Sequence, residues 1–143
     1  MLTNINHIGI AVTDLEQATH FWRDVLGVPL EKKEHVAQEA VDIAFLPIRE
    51  TEIELLAPTA PNGVTKFLEK RGAGIHHICF EVNDIKSALA HLTQANVPLI
   101  HDTPQIRHDG IKYAFIHPKG TGGVLIELYQ LVQQRDVAPR LVL

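Results

Sequence analysis

The stretch His7-Ile8-Gly9-Ile10-Ala11-Val12-Thr13-Asp14-Leu15 is answered by His77-Ile78-Cys79-Phe80-Glu81-Val82-Asn83-Asp84-Ile85, at an offset of 70 (77 minus 7). The correspondence continues outward. Val28-Pro29-Leu30 returns as Val97-Pro98-Leu99, Phe45-Leu46-Pro47 is loosely echoed by Phe115-Ile116-His117-Pro118, and Ile53-Glu54-Leu55 returns as Ile126-Glu127-Leu128. Landmarks in one order, with offsets drifting by only a few residues, are the signature of an internal duplication.

Each half carries the same alternation of periods. Residues 5 to 12 alternate with period two, so Ile8, Ile10 and Val12 share one face of a strand and His7, Gly9 and Ala11 the other. Asp14 then stands where an N-cap accepts from free amides, with Gln17 three positions on. Leu15, Ala18, Trp22, Val25 and Leu26 recur at helical spacing, and Gly27 closes the helix. Strands are expected near 28–36, 40–47 and 51–57. The second half repeats the plan with Asp84 as cap, the stripe Ile85, Ala88, Leu89, Leu92 and Ala95, and strands near 98–101, 111–117 and 124–130. The fold class is α+β, two tandem βαβββ modules within one domain over 1–143. Module 1 covers about 4–58, a linker helix about 64–72, module 2 about 74–130, and a weakly patterned tail 131–143. His108-Asp109-Gly110 reads as a turn.

Bulk properties exclude several classes of function. The 143 residues are 45% hydrophobic and 21% charged, which describes an ordinary globular chain able to bury a core. A net charge of −4 and a pI near 6.1 supply no basic footprint for nucleic acid. No apolar run approaches the roughly 20 residues that span a bilayer. Cys79 is the single cysteine, so no intrachain disulfide can form, and the N-terminus opens directly into strand-like sequence. A cytoplasmic protein without membrane or nucleic-acid partners is expected.

The chemistry lies on the face opposite the apolar set. If Ile8, Ile10 and Val12 sit under the helix, His7 points away from it, and so does His77. In the last strand of each module, Glu54 and Glu127 stand between apolar neighbours that face the other way. Taken singly, each is more often a hydrogen-bonded or solvated strand residue than a ligand. A carboxylate on a buried face is costly unless paired or bound to a cation, and all four placements repeat. A pseudo-twofold axis between the modules would gather His7, Glu54, His77 and Glu127 around one point. Two imidazoles and two carboxylates suit Zn²⁺, Co²⁺, Mn²⁺, Ni²⁺ or Fe²⁺ better than Ca²⁺ or Mg²⁺. The other histidines (His20, His35, His76, His91, His101, His108 and His117) have no repeat mate of the same type and read as structural or exposed, with His76 expected to face the helix side. Gly120, Gly122 and Gly123 lack the spacing of a phosphate loop.

These residues resemble the vicinal oxygen chelate superfamily (glyoxalase, bleomycin resistance and dioxygenase proteins) and, within it, the methylmalonyl-CoA epimerase family. The stretches that carry the resemblance are His7 to Val12 with Asp14-Leu15, Glu52-Ile53-Glu54-Leu55-Leu56-Ala57-Pro58, Gly74-Ile75-His76-His77-Ile78, and His117-Pro118-Lys119 followed by Gly122 to Leu128. The resemblance implies a curved mixed sheet around a metal-binding groove, a divalent ion held by His7, Glu54, His77 and Glu127, an acyl-CoA substrate and a homodimer. It implies epimerisation of methylmalonyl-CoA by 1,1-proton transfer through an enolate that the ion stabilises. Glu127 would be one acid–base residue. Asp42, in Val41-Asp42-Ile43, is the nearest match to the family's second base, with a shorter side chain. Rival readings are a lactoylglutathione lyase, an extradiol dioxygenase, against which Glu54 as a fourth ligand counts, and a drug-sequestering module without chemistry.

Overall fold

The structure, a computed structural model, describes residues 1–133, and among these described residues are eight strands and three α-helices. In order these are β1 (Leu2–Ala11), α1 (Leu15–His20), β2 (Lys32–Val36), β3 (Val41–Ile48), β4 (Thr51–Pro58), α2 (Gly63–Arg71), β5 (Gly74–Val82), α3 (Ile85–Gln94), β6 (Gln105–Ile106), β7 (Lys112–Ile116) and β8 (Leu125–Gln130). Strand pairings are mixed, parallel between β1 and β4 and antiparallel in the hairpins, as the α+β reading expects. Two compact units emerge, Asn4–Cys79 and Met1–Thr3 with the chain from Phe80 onward, so the division falls inside β5. Most of the expected tail, from 134 on, lies outside the described residues. No helix among the described residues is long and apolar enough to cross a membrane.

In the unit Asn4–Cys79 the strand order is β2-β3-β4-β1-β5. The parallel register pairs Ile8 with Ile53 and Ile10 with Leu55, so a crossover through α1 must join β1 to the hairpins. Asp14 caps α1, its carboxylate accepting from the Gln17 amide at 3.0 Å. Leu15, Ala18 and Trp22 then pack with Ile8 and Ile10 against Ala44, Leu46, Ile53, Leu55 and Ala57. Leu46 and Leu55 are wholly buried, each contributing roughly 1.5–3 kcal/mol by transfer from water.

The helical stripe breaks down at its end. Val25 and Leu26 were expected on the buried face and are instead 63% and 53% exposed. Phe21–Val25 forms a π-helical turn, with the Leu26 amide donating to the Phe21 carbonyl at 2.9 Å. The added residue in that turn rotates the two side chains off the core, before Gly27 ends the run at φ 78°. Likewise β2 begins at Lys32 rather than near 28, because Pro29 has no amide to give a ladder. The linker helix α2 is as expected, boxed by Asn62 and Thr65 and stopped by Gly72 at φ 75°.

In the second unit Asp84 caps α3 by accepting from the Ser87 amide at 3.1 Å. Ile85, Ala88 and Leu89 bury against Val82, Ala114, Ile116 and Leu128. The strand order is β8-β7-β6. The expected strand near 98–101 reduces to a single bridge between Leu99 and Ile116, again beside a proline, Pro98. The duplication is exact in register where it matters. Phe45 opposes Glu54 and Ala44 opposes Leu55 in one hairpin, and Phe115 opposes Glu127 and Ala114 opposes Leu128 in the other.

Candidate metal centre

Residues 4–10 and 74–80 share one burial pattern, in which the histidine and the residue two places on are buried and their neighbours are not. His7 is 3% exposed and His77 8%. Both belong to the unit Asn4–Cys79, where the Nε2 atoms of the two rings stand 3.0 Å apart, with the ring planes at 88°. Two Nε2 lone pairs facing each other at that distance repel unless a proton or a cation lies between them. Ligands at right angles around a first-row divalent ion, each about 2.1 Å away, are separated by about 3.0 Å. The imidazole pair therefore fits a cation.

Backbone chemistry permits the approach at one position. The face of β1 that carries His7 carries Gly9 next, and a Cβ built there would lie 2.6 Å from Nδ1 and 3.0 Å from Nε2 of His77. Only a residue without a side chain lets the imidazole lie against the strand. The repeat mate of Gly9 is Cys79, fully buried, with its Sγ within 4.8 Å of a His7 ring nitrogen. Sequence reasoning did not single out Cys79, although its place two residues after His77 puts it on the same strand face.

Glu54 reaches the same cluster from β4, where the parallel register sets it beside Gly9. Its Oε2 is 2.9 Å from Nδ1 of His7, whose side chain is 4% exposed against 12% for the part-buried Glu54. Nδ1 is the nitrogen turned away from His77, and Asn6 Oδ1 shares it at 2.7 Å. Glu52 follows on that face, opposite His7. Burial foremost, then a hydrogen bond with Glu31 and the charge of Glu54, push its carboxyl up to about 7.

Asp42 is not brought to this face. It opposes Ala57 in β4 and His35 in β2, so it shares the helix side with Ala44 and Leu46 while Val41, Ile43 and Phe45 share the side of Glu54. Its carboxylate bonds Nδ1 of His35 at 2.6 Å on the exposed surface. Strand alternation is the cause: the family resemblance pointed to Asp42 as the second base, and the register assigns the side of Glu54 to Ile43. His76 does more than the expectation gave it. Its ring packs against Phe67 of α2, and its Nδ1 also lies 2.9 Å from Nδ1 of His77. Among the remaining histidines, His20 pairs with Asp24 at 2.8 Å on the surface, and His101 and His117 accept from the Phe115 and Lys119 amides. These are structural uses.

Glu127 belongs to the other unit. On β8 it is 6% exposed and faces the side opposite Leu128, which packs in the core of that unit. Its strand position is that of Glu54 in the first hairpin.

Known proteins carry the same plan. Residues 6–115 match the Glyoxalase/Bleomycin resistance protein/Dioxygenase superfamily. The chain is 38% identical to mitochondrial methylmalonyl-CoA epimerase of Mus musculus over 90% of this chain and 74% of that one. It is also 38% identical to an ethylmalonyl-CoA/methylmalonyl-CoA epimerase of Cereibacter sphaeroides, over 92% and 100%. A solved Streptomyces coelicolor methylmalonyl-CoA epimerase in complex with 2-nitronate-propionyl-CoA superposes with a TM-score of 0.83 at 34% identity, over 93% of this chain and 100% of that one. Sequence repeat, strand register and these likenesses agree: the chain belongs to the glyoxalase/bleomycin resistance/dioxygenase superfamily and is an enzyme of its methylmalonyl-CoA epimerase-like isomerase branch.

Proposed function

We propose that the chain epimerises methylmalonyl-CoA at its α-carbon with the help of a divalent metal ion, and that the facing Nε2 atoms of His7 and His77, 3.0 Å apart, are the observation that carries the reading. His7, His77, Glu54 and Glu127 would hold the ion. Glu54 would exchange its bond to Nδ1 of His7 for the cation, an exchange that Asn6 makes tolerable because it also accepts from that nitrogen. The ion, when bound, supplies Lewis-acid stabilisation of negative charge developing on the substrate oxygens. A solved methylmalonyl-CoA epimerase in complex with methylmalonyl-CoA, 33% identical over 97% of this chain, supports the substrate.

The protein's own part is to position and to move protons. Inversion requires removal of the α-proton from one face and its return on the other. Glu127, buried on β8 at the repeat position of Glu54, is the acid–base residue in this reading. Asp42, on the opposite face of β3 and bonded to His35, is withdrawn from the pair. Cytoplasmic location and a homodimer belong to the same proposal.

The test is deuterium exchange into methylmalonyl-CoA in heavy water, run with metal-free protein and after addition of Co²⁺, Zn²⁺, Mn²⁺, Ni²⁺ or Fe²⁺ singly. Exchange and inversion restored by metal support the reading. Glutathione hemithioacetal is offered separately, and turnover of that substrate alone would replace the proposal with a lyase. Glu127→Gln should lose inversion by at least a hundredfold, and unchanged turnover removes it from the mechanism.

A further inference from the structure

The two histidines of the imidazole pair are supported in the same way by the residues that precede them, at positions the duplication makes equivalent: 6 and 76, again an offset of 70 (76 minus 6). Asn6 Oδ1 lies 2.7 Å from Nδ1 of His7. Nδ1 of His76 lies 2.9 Å from Nδ1 of His77. Asn6 and His76 are partly buried, and each bond is made on the ring nitrogen turned away from the other histidine. The residue types differ, an amide in one module and an imidazole in the other, which hides the correspondence from a search for repeated letters. What the positions share is an acceptor.

We propose that Asn6 and His76 are a duplicated pair of positioning residues, accepting the Nδ1 hydrogens of His7 and His77 so that both Nε2 lone pairs are presented to one cation. The inference rests on the metal reading above. An imidazole that binds metal through Nε2 carries its hydrogen on Nδ1, and a fixed acceptor there selects the tautomer and the ring plane. Asn6 supplies that acceptor through its amide oxygen. His76 supplies it through Nδ1 in the neutral tautomer protonated at Nε2. The His76 ring is itself seated against Phe67 of α2, with centroids 5.2 Å apart at 70°. Helix α2 is thereby given a task beyond linking two modules. Glu54 shares Nδ1 of His7 at 2.9 Å, so Asn6 keeps the tautomer fixed when that carboxylate turns to the ion. His76 carries the same task for His77.

The experiment is Co²⁺ titration of metal-free protein by calorimetry and by visible absorption, with thermal unfolding of each metal-free variant. Asn6→Leu and His76→Phe remove the acceptor while keeping bulk, and the phenyl ring keeps the contact with Phe67. Each should weaken Co²⁺ binding roughly 10–100-fold. Asn6→Asp and His76→Asn retain an oxygen near the same place and should bind within about threefold of the parent, the size of one ordinary hydrogen-bond adjustment. Parent-like affinity in both acceptor-less variants overturns the inference and leaves the metal reading standing. Absence of Co²⁺ binding by the parent overturns both. If either acceptor-less variant unfolds, nitrogen-15 NMR of the parent with Zn²⁺ bound decides: Nδ1–H resonances for His7 and His77 support the proposal, and Nε2–H at either overturns it.

Discussion

Replacing Gly9 by alanine tests the geometry on which the imidazole pair depends. The new Cβ would sit 2.6 Å from Nδ1 and 3.0 Å from Nε2 of His77, a ring that is only 8% exposed. Ordinary contact needs about 3.5 Å or more, so the ring must withdraw by about 1 Å into packed surroundings. Overpacking of that kind costs roughly 1–3 kcal/mol. Against it stands a gain of roughly 0.5–1 kcal/mol from removing a glycine inside a strand. The net expectation for Gly9→Ala is a loss of about 1–2 kcal/mol. Urea unfolding of metal-free protein measures it, and a double-mutant cycle with His77→Ala isolates the contact. With the imidazole gone, alanine at position 9 should be neutral or stabilising, giving a coupling of about 1–3 kcal/mol. Equal losses in both backgrounds, or no loss in the parent, would refute the claim that position 9 is glycine to admit His77.

Three further outcomes follow from the same structure. Glu52, with its carboxyl near 7 against an ordinary 4.5, binds more protons folded than unfolded between those values. Its neutral form therefore favours the fold fully below pH 4.5, and that contribution is lost as pH rises through 7. The full shift corresponds to about 3.4 kcal/mol, reduced by solvent screening to on the order of 1–2 kcal/mol. In metal-free protein, the stability advantage of Glu52→Gln over the parent should accordingly widen by that amount from pH 4 to pH 8, and a constant gap would show that burial does not perturb the group. Asp42→Asn should leave epimerisation within about twofold of the parent, since the side chain serves His35 on the other side of β3; a hundredfold fall would restore it as a base. Asp84→Ala removes the cap on the Ser87 amide and should lower stability by about 1 kcal/mol, read as a shift of the urea midpoint at unchanged slope.

Period and repetition are legible in the amino-acid sequence itself. The alternation at 7–12 and 77–82 assigned His7 and His77 to the face away from the helix, and the twin caps Asp14 and Asp84 stand where the spacing put them. Glu54 and Glu127 likewise occupy matched positions opposite Phe45 and Phe115. These features are local, since side-chain direction along a strand and the first turn of a helix depend on neighbours a few residues away. Local rules failed where the backbone left its regular period. The π-helical turn at Phe21–Val25 rotated Val25 and Leu26 outward, and prolines 29 and 98 shortened or dissolved the strands beside them.

What tertiary structure alone decided is which side chains meet. Asp42 and Ile43 are adjacent in sequence, and only the register of β3 against β4 tells that the apolar one shares the side of Glu54. Gly9 is one more residue of a strand until His77, 68 positions later (77 minus 9), is laid across it. Asn6 and His76 look unrelated as letters, and they become equivalent once each is seen to hold the outer nitrogen of the histidine that follows. The sequence by itself determined the duplicated strands, their faces and the donor types. Contacts between residues distant in the chain depend on strand register and ring orientation, which are set by packing against partners that no local pattern names.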